Sequence, residues 1–503
     1  MKFNEMKKII FPVLIGIISL SSCSKNFLNQ TPTSSITVGS FYKSQQDIQQ
    51  AVTGVYASLR DWPVDIYWYL SEIRSSNYYV TADGAQRDWY DYSNFSDNSS
   101  DQTLYTAWQS LYQLINRANT VLQNIDNISI TPATLRTQYK AEARFLRAYA
   151  YFQLVRLWGN VPLVTKVISP TEGIQIGQSA PAEVYKFITS EMNAIQDSLP
   201  AVYTGSDVGR ATKWAVKGVL AKVYLTMVGN PINQADKEDS AQVLLKQIID
   251  NEGSTADLTF TPNYANLFGY KNDNLHNIFE VQYVSGGLGE GSTYPSQNYP
   301  PGLNTSLVSV SSLLFNSSVQ VSNDLIQAYN PNDLRFNVTI DTSWLNNYSP
   351  ATISNIPFYK KFVDFGLTTL TSYNDWPENF PLLRYADVLL MYAETINDLS
   401  GGPTATATAI LNRIRTRAGL PPIAPASKSD FALALENEYR LEFADEGQYW
   451  FYLLRTNRAI PVMNAWFAAT GQNKTIDAHN LLYPIPQTQI DIYPGLYTQN
   501  NGY

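Results

Sequence analysis

Hydrophobic residues recur at helical spacing through most of the chain. One face begins at Trp108 and continues through Leu111, Ile115 and Leu122, in steps of three, four and seven residues. Polar residues fill the positions between them, as on a helix with one buried side. This spacing predicts an amphipathic helix, and its recurrence predicts a mostly α-helical protein.

Capping residues predict where several helices begin and end. Thr131 followed by Pro132 predicts a start, because threonine caps a first turn and proline is tolerated there, and Gly159 predicts the end. Thr212 and Gly229 bound another helix in the same way. Further helices are predicted from Pro181 and over residues 384–398, 405–418, 430–446 and 448–458.

Small residues lie where successive helices would cross: Ala141, Ala148, Ala215, Gly218 and Ala221. Paired helices with small crossing residues are typical of stacked helix–turn–helix units such as tetratricopeptide (TPR) repeats. The match to a strict repeat consensus is poor, so generic antiparallel helices are an alternative. The predicted fold class is mostly α, with TPR-like helix–turn–helix pairs forming a scaffold, long irregular loops and a few short strands.

Three long stretches interrupt the helical pattern. Residues 61–104, 251–321 and 331–382 are rich in Gly, Pro, Asn, Ser and Tyr. Loops of this length are uncommon in a compact domain unless they carry function. A rigid helical scaffold that presents long aromatic loops is typical of a binding protein.

The first residues predict export and lipid attachment. Lys2, Lys7 and Lys8 precede an apolar run, residues 9–20, that is too short to span a bilayer and fits a secretory signal peptide. Cys23 follows Leu-Ser-Ser directly after this run and resembles the lipidated cysteine of a bacterial lipoprotein. The alternative is an ordinary signal peptide with a chance cysteine.

The predicted signal peptide and lipidation site divide the chain into three parts. We expect a signal peptide over 1–22, a lipidated N-terminus and polar tether over 23–39, and a single domain over 40–503. Its N-terminal half would span about 40–230 and its C-terminal half about 270–503. Past the signal peptide, apolar runs stay shorter than a membrane-spanning helix requires.

Composition removes several classes of function. The chain has 503 residues, a net charge of −8 and no long basic tract, which argues against nucleic-acid binding. One cysteine and two histidines, His276 and His479, are too few for a disulfide framework, a Cys/His zinc site or a Cys–His nucleophile. We expect no cofactor, no metal site and no catalytic role for either histidine.

Several segments together resemble the SusD/RagB family of outer-membrane nutrient-binding lipoproteins. They are WQSLYQLINRAN (108–119), AEARFLRAYAYFQLVRLWGNVP (141–162), LRYADVLLMYAE (383–394), LNRIRTRAG (411–419), EYRLEFADEG (438–447) and the C-terminal YPIP and QNNGY. These segments follow the family's order and cover nearly the whole chain. Tyr449 and Tyr452 depart from the family pattern, which often has Arg and Asp there.

The resemblance implies a SusD-like helical fold with a lipid anchor in the outer membrane, facing the cell surface. It also implies capture of a ligand and its delivery to a SusC-like TonB-dependent outer-membrane transporter. We take a glycan-binding lipoprotein without enzymatic activity as the leading hypothesis. A peptide-binding lipoprotein of the same family and a surface glycoside hydrolase are the alternatives.

Aromatic residues indicate where a glycan would bind. Sugar rings have C–H faces and hydroxyl edges, so their sites combine flat aromatic side chains with hydrogen-bonding groups. Residues 61–95 fit best, and here we expect burial at 67–70 but exposure of Trp89, Tyr90 and Tyr92, which acidic residues surround. Its aromatic residues include Trp62, Trp68, Tyr78 and Tyr79. Its candidate ligand contacts are Trp89, Tyr90, Tyr92, Asn94, Arg74 and Asn77, of which Trp89 and Asn94 are the nearest counterparts of the family's binding Trp and Asn.

A second candidate is the glycine-rich segment 286–304, a mobile loop in which Tyr294 and Tyr299 would close on a ligand. Its glycine spacing does not indicate a phosphate loop, because no strand–helix context follows. Trp344, Tyr348 and Trp376 are third-rank candidates.

Charged residues in the family-like segments are expected to be structural. We interpret Arg144 and Arg147 as internal ion pairs rather than anion ligands. We also interpret Arg384, Asp387 and Glu394 as salt-bridge residues. Seven helical residues separate Asp387 from Glu394 by roughly 10 Å, so their side chains would have to converge to act as a glycosidase pair.

Overall fold

The computed structural model describes residues 41–81, 87–272, 274–300, 303, 317–347, 352–367 and 369–503. The predicted signal peptide, Cys23, the tether and Tyr348 lie outside the described residues. No helix in the described part of the chain combines the length and apolar character needed to cross a bilayer.

Long helices make up most of the N-terminal half. They are α1 (Gln45–Ala57), α2 (Arg87–Asn94), α3 (Gln102–Asn124), α4 (Ala133–Trp158), α5 (Pro170–Gly173), α6 (Pro181–Ile195), α7 (Lys213–Val228) and α8 (Lys237–Ile249), with a π-helix, Pro63–Glu72, between α1 and α2. The Thr212 side chain caps α7 by accepting a hydrogen bond from the Ala215 N–H at 3.3 Å, as predicted. Gly159 ends α4 with a φ of 70°, and Pro132 rather than Thr131 is the N-cap.

The C-terminal half alternates short and long helices. They are α9 (Tyr294–Asn298), α10 (Asn323–Ala328), α11 (Phe336–Thr339), α12 (Tyr385–Leu399), α13 (Ala405–Arg417), α14 (Lys428–Glu442), α15 (Tyr449–Arg455), α16 (Ala459–Ala469) and α17 (Gln487–Ile492). Helix α14 ends earlier than predicted because Asp445 and Gly447 adopt positive φ. A side chain at Gly447 would collide with the Tyr67 carbonyl, so only glycine fits there.

The long helices pack on one another in a continuous series. Helix α1 contacts α3, α3 contacts α4, and the series continues through α6, α7, α8, α12 and α13. Short 3₁₀ helices lie in the connections: Ile125–Asn127, Gly205–Asp207, Tyr264–Leu267, Tyr270–Asn272 and Ala478–Leu481. The mostly helical fold with paired helices predicted from the sequence is confirmed.

The described strands form two-stranded antiparallel pairs. These are β1 (Tyr78–Val80) with β5 (Val319–Val321), β2 (Val161–Pro162) with β3 (Gln178–Ser179), β4 (Asn277–Val281) with β10 (Phe380–Arg384), β6 (Ile340–Asp341) with β9 (Phe358–Tyr359), and β7 (Trp344–Asn346) with β8 (Thr352–Ser354). The β1–β5 pair, in which Tyr79 lies opposite Gln320, joins the first aromatic segment to the C-terminal half. One large hydrophobic core runs through both halves.

Candidate functional site

The best-ranked aromatic segment folds as the π-helix, strand β1 and helix α2. The Trp68 indole N–H donates a hydrogen bond to the Tyr78 hydroxyl at 2.9 Å. Trp89 meets Trp68 edge to face at a centroid distance of 5.4 Å, and Tyr69 lies 5.9 Å from Trp89. Tyr92 packs on Tyr69 at 6.5 Å. We call Trp68, Tyr69, Tyr78, Trp89 and Tyr92 the aromatic cluster.

The expected exposure of Trp89 and Tyr92 is wrong. Trp89 is 7% exposed and Tyr92 is fully buried. These two residues are three apart in α2 and so share the face that packs on the π-helix. The acidic neighbours Asp88 and Asp91, which suggested exposure, share a different face of the helix. Tyr90 is partly exposed, as expected.

Arg74 and Asn77 are buried and bound to other protein groups, so the prediction that they contact a ligand is not supported. Arg74 pairs with buried Asp97 and donates to the Asn480 carbonyl at 2.8 Å. Asn77 donates through Nδ2 to Glu72 Oε1 at 2.8 Å. A buried guanidinium requires such partners because its desolvation is costly.

Asn94 is only partly exposed and both ends of its amide are occupied. Its Nδ2 donates to the Tyr90 carbonyl at 2.7 Å, and its Oδ1 accepts a hydrogen bond from Lys474. In this arrangement Asn94 fixes the end of α2 to the chain before the C-terminus. Its predicted ligand contact would require exchange of the Lys474 bond.

The exposed aromatic surface of this region is made of tyrosines. Strand β1 alternates, so Tyr78 and Val80 are buried while Tyr79 points outward with 41% of its surface exposed. Tyr69 and Tyr90, on the contacting π-helix and α2, are partly exposed. We call Tyr69, Tyr79 and Tyr90 the tyrosine surface. Of these residues, the sequence singled out only Tyr90 as a ligand contact.

The first and second candidate segments meet at Asp445. The Tyr78 hydroxyl donates to Asn298 Oδ1 at 3.1 Å. The Tyr294 hydroxyl donates to Asp445 Oδ1 at 2.9 Å, and Asn298 Nδ2 donates to the same oxygen at 3.3 Å. We call Asp445, Glu72, Tyr78, Tyr294 and Asn298 the Asp445 node.

The remaining predicted aromatic contacts are also buried. Tyr294 is 1% exposed within α9, so its predicted place in a mobile loop is wrong. Tyr299 is 1% exposed and packs on Trp376 at 5.5 Å, which makes it part of a small hydrophobic group. Trp344 is 7% exposed and meets Phe358 edge to face at 5.8 Å. Aromatic residues in these loops bury their rings against one another because each removes a large apolar area from water.

The Asp445 node is acidic, and among the described residues neither Asp445 nor Glu72 forms an ion pair with a base. Burial, and then the nearby charge of Glu72, raise the pKa of Asp445 well above its usual range. Burial also raises the pKa of Glu72, although it accepts hydrogen bonds from Asn77 and from the Asp445 and Gly447 backbone N–H groups, at 3.0 and 2.8 Å for the two N–H groups. The raised pKa favours the protonated form of Asp445, and its Oδ1 accepts hydrogen bonds from the surrounding hydroxyl and amide groups.

A buried ion network lies beside this node. Arg384 contacts Glu442 at 2.9 Å and Glu446 at 2.8 Å, and Lys361 contacts Glu446 at 2.7 Å. Burial acts to raise the pKa of Glu442, but the charges of Arg417, Arg384 and Arg335 outweigh it and hold that pKa at about 2. Each charge in the network thus has an opposite partner, which a buried charge requires.

The other charged residues of the family-like segments also serve the scaffold, as predicted. Asp387 lies 3.2 Å from Lys222. The carboxylate of Glu394 is 2.7 Å from Arg455. Arg144 and Arg147 both pair with Glu191, at 2.9 and 2.5 Å.

Both histidines contact neighbouring polar groups. His276 Nδ1 is 2.5 Å from the Thr259 hydroxyl, and burial lowers the pKa of the ring. His479 Nδ1 is 2.7 Å from Asp477, within the 3₁₀ helix Ala478–Leu481. The expected absence of a catalytic role for either histidine stays a prediction.

Three acids near α2 come together in space. Asp88, Asp91 and Asp101 place one carboxylate oxygen each within 4.8 Å of the others, and no other such group of His, Cys, Asp or Glu occurs in the described ranges. All three already interact with other groups. We assign no metal to them.

Sequence reasoning missed the residues that organise the site. Asp445 was placed only inside a family-like segment, and Glu72 was not considered. The Asp-Glu-Gly ending of that segment was the available signal, because a helix ending with Asp and Gly in left-handed backbone is a place where side chains turn inward. The exposure of Tyr79 follows from strand alternation, once β1 is recognised.

Comparison with known proteins identifies the family. A sequence model of the SusD family matches residues 229–503. A second model, described as starch-binding associating with outer membrane, matches residues 26–225. Together the two matches cover the chain from its predicted tether to its C-terminus.

Individual relatives agree over nearly the full length. SusD-like protein P25 of Formosa agariphila is 26% identical over 99% of this chain and 100% of its own. A SusD-like protein of Bacteroides ovatus is 27% identical over 91% of this chain and 84% of its own. A solved laminarin-binding SusD-like protein has a TM-score of 0.76 at 26% identity and covers 92% of this chain and 100% of its own. The chain belongs to the SusD/RagB family.

Proposed function

We propose that this protein captures a glycan at the cell surface and delivers it to a SusC-like TonB-dependent transporter of the outer membrane. The observation that carries the proposal is its likeness to a laminarin-binding SusD-like protein over 92% of the chain. That relative makes laminarin, a β-glucan, the first ligand to test.

The tyrosine surface supports glycan binding. Tyrosine pairs a flat apolar ring with a hydroxyl group, so it stacks on a sugar face and bonds to a sugar hydroxyl at low entropic cost. Tyr79 offers the largest exposed ring of this surface, with 41% of its area accessible. The Asp445 node beneath it fixes β1 through the neighbouring Tyr78.

The contacts of Asp387 and Glu394 fit a protein that binds a glycan without cleaving it. The carboxylates of Asp387 and Glu394 are engaged by Lys222 and Arg455. A glycosidase needs one protonated and one ionised carboxylate facing the scissile bond. We expect laminarin incubated with the protein to release no reducing sugar. Release at about one turnover per second, the low end of enzyme rates, would contradict this.

The outer membrane is the proposed location. Cys23 would carry the lipid, and a family model matched by the chain is described as associating with outer membrane. We expect Cys23→Ser to give a folded protein that fractionates as soluble. Recovery of this variant in the outer membrane at the wild-type level would contradict the anchor.

Isothermal titration tests the ligand class. We expect the purified protein to bind laminarin oligosaccharides and to show no heat with a mixture of peptides of similar length. Binding of peptides with no response to laminarin or starch oligosaccharides would favour the peptide-binding alternative. Binding to starch but not laminarin would keep the glycan proposal and change its substrate.

Delivery to the transporter has a separate test. We expect a SusC-like TonB-dependent transporter that is co-expressed with this protein to co-purify with it. Failure to co-purify in mild detergent, with laminarin binding intact, would contradict delivery while leaving glycan capture in place.

A further inference from the structure

A cavity of about 490 Å³ lies within the helical stack, apart from the tyrosine surface. It is lined by the end of α7, the start of α8, the second half of α12 and parts of α14 and α15. None of its lining residues belongs to the aromatic cluster or to the Asp445 node. Its volume falls in the range of small-molecule sites.

Acids outnumber bases in this cavity. Glu238, Glu394, Asp398 and Glu436 line it, against Arg455 and Arg458. Two of the acids are neutralised, because Glu394 lies 2.7 Å from Arg455 and Glu436 lies 2.8 Å from Arg458. Asp398 lies 3.1 Å from Lys428. Among the described residues, no base lies within ion-pair distance of Glu238.

Glu238 is an acid of this cavity that holds its proton more strongly than usual. Burial, the charges of Asp398 and Glu394, and a hydrogen bond to Asp398 together raise the pKa of Glu238 to about 8, against a smaller opposing effect of Lys428. A cation between the two carboxylates would replace that proton. Once ionised, Glu238 therefore adds one negative charge that no base within ion-pair distance offsets among the described residues.

A second observation points to the same ligand chemistry. Asn397 is 1% exposed and lines the cavity. Its Nδ2 donates to the Lys428 carbonyl at 3.2 Å and to Asp398 Oδ1 at 3.4 Å. Its Oδ1 accepts no hydrogen bond from the described residues. A buried acceptor left without a donor costs free energy, which an N–H or O–H group of a ligand would recover.

Apolar side chains form another part of the wall, which also includes Ser429, Thr456 and Asn457. Leu225, Val228, Phe431, Leu435 and Tyr452 face the cavity. We infer that the cavity binds a small primary amine with an apolar chain or ring. Its ammonium group, with three donors, bonds to Asn397 Oδ1 and to the Glu238 and Asp398 carboxylates. Its apolar part packs on the leucine and aromatic side chains.

Three probes of one shape test this inference on the whole protein: 2-phenylethylamine, 2-phenylethanol and phenylacetate. We expect the amine to raise the melting temperature and to bind at least roughly tenfold more tightly than the alcohol, a difference typical of a hydrogen bond to a charged group. Phenylacetate should not bind. Equal binding of amine and alcohol, or no response to millimolar amine, would overturn the inference.

Glu238→Gln removes the unpaired acid while keeping its shape. We expect amine affinity to fall at least roughly tenfold, with the melting temperature and laminarin binding unchanged. Glu183→Gln, on the exposed face of α6, is the matched control and should keep amine affinity. Unchanged amine affinity in Glu238→Gln would overturn the inference.

Proton release supplies a readout that a purely structural acid would not give. An ammonium group favours the ionised form of Glu238, so binding should release close to one proton near pH 7 and strengthen as the pH rises to about 8. Titration in two buffers of different ionisation enthalpy measures this number. Amine binding without proton release would contradict the site.

Discussion

Two acids three residues apart, Glu442 and Asp445, are both fully buried, but their pKa values shift in opposite directions. Three arginines hold the pKa of Glu442 at about 2. Burial and the charge of Glu72 raise the pKa of Asp445 well above its usual range. The difference shows that the partners, rather than burial itself, decide the protonation state.

The two acids also belong to different parts of the molecule. Glu442 belongs to the ion network that joins β10, α13 and α14, so it stabilises the scaffold. Asp445 belongs to the node of tyrosine and amide groups beneath the tyrosine surface. The ion network fixes the helices, whereas the hydrogen-bonded Asp445 node supports the proposed glycan site.

The largest expected effect is on the ion network. Arg384→Met leaves Glu442 and Glu446 short of a buried partner, and loss of one member of such a pair costs about 3–5 kcal/mol. Urea denaturation would measure this loss. Arg413→Met is the control, because its pair with Glu252 is partly exposed and is worth less than about 1 kcal/mol. Equal losses of unfolding free energy in Arg384→Met and Arg413→Met would contradict the distinction between buried and partly exposed ion pairs.

The aromatic cluster should respond through stability. Trp89 is 7% exposed and packs on Trp68 and Tyr69. We expect Trp89→Ala to lower the free energy of unfolding by about 3–5 kcal/mol. Thermal melting and laminarin titration on the same sample would separate folding from binding. A stable variant with weakened binding would instead make Trp89 a ligand platform.

The tyrosine surface should respond through affinity. Tyr79→Ala removes the most exposed ring of this surface. By analogy with base–aromatic stacking, this change should cost about 1–3 kcal/mol of binding free energy. This corresponds to a rise of roughly 5- to 150-fold in the dissociation constant. Tyr493→Ala is the control, since Tyr493 is 48% exposed and lies outside this surface. Equal affinities in the two variants would exclude Tyr79 as a contact.

The smallest effect is expected for Asp445→Asn at about pH 4, close to the unfolded pKa. Asparagine keeps Oδ1, tolerates the left-handed backbone at this position and resembles the protonated acid, so the change should cost less than about 1 kcal/mol there. Because burial raises the pKa of Asp445 in the folded state, its contribution to stability is full below the unfolded pKa and is lost as the pH rises toward the folded pKa. The wild type should therefore lose melting temperature from about pH 4 upward, and the variant should lose less.

Glu442 gives the opposite limb of the pH profile. Its folded-state pKa is depressed, so its contribution is present above the unfolded pKa and is lost as the pH falls toward about 2. We expect this acid limb to persist in Asp445→Asn. A variant that lost the acid limb and kept the decline above about pH 4 would reverse the assignment of the two acids.

The sequence predicted the scaffold well because its signals are local. The signals are Thr212, Gly159 and the apolar spacing around Trp108. Each of them acts within a single helix, and the structure has a helix at each of these places. The ion pairs of Arg384 and Arg147 were also predicted as structural, because charged residues inside helical motifs need internal partners.

The candidate site was harder to predict because it depends on contacts distant in sequence. Trp89 lies beside Asp88 in the chain but beside Trp68 in space, and chain neighbours on a helix point in different directions. Asp445 contacts Tyr78 and Tyr294, which no local pattern connects to it. Composition pointed to an aromatic candidate region, but it could not separate exposed aromatic residues from the aromatic core.

Hydrogen–deuterium exchange with and without laminarin oligosaccharide tests the central claim most directly. We predict slower exchange on ligand addition in peptides that cover β1 and α2, where the tyrosine surface lies, and no change in α7 and α8. Binding that leaves β1 and α2 unprotected while protecting another surface would contradict the account.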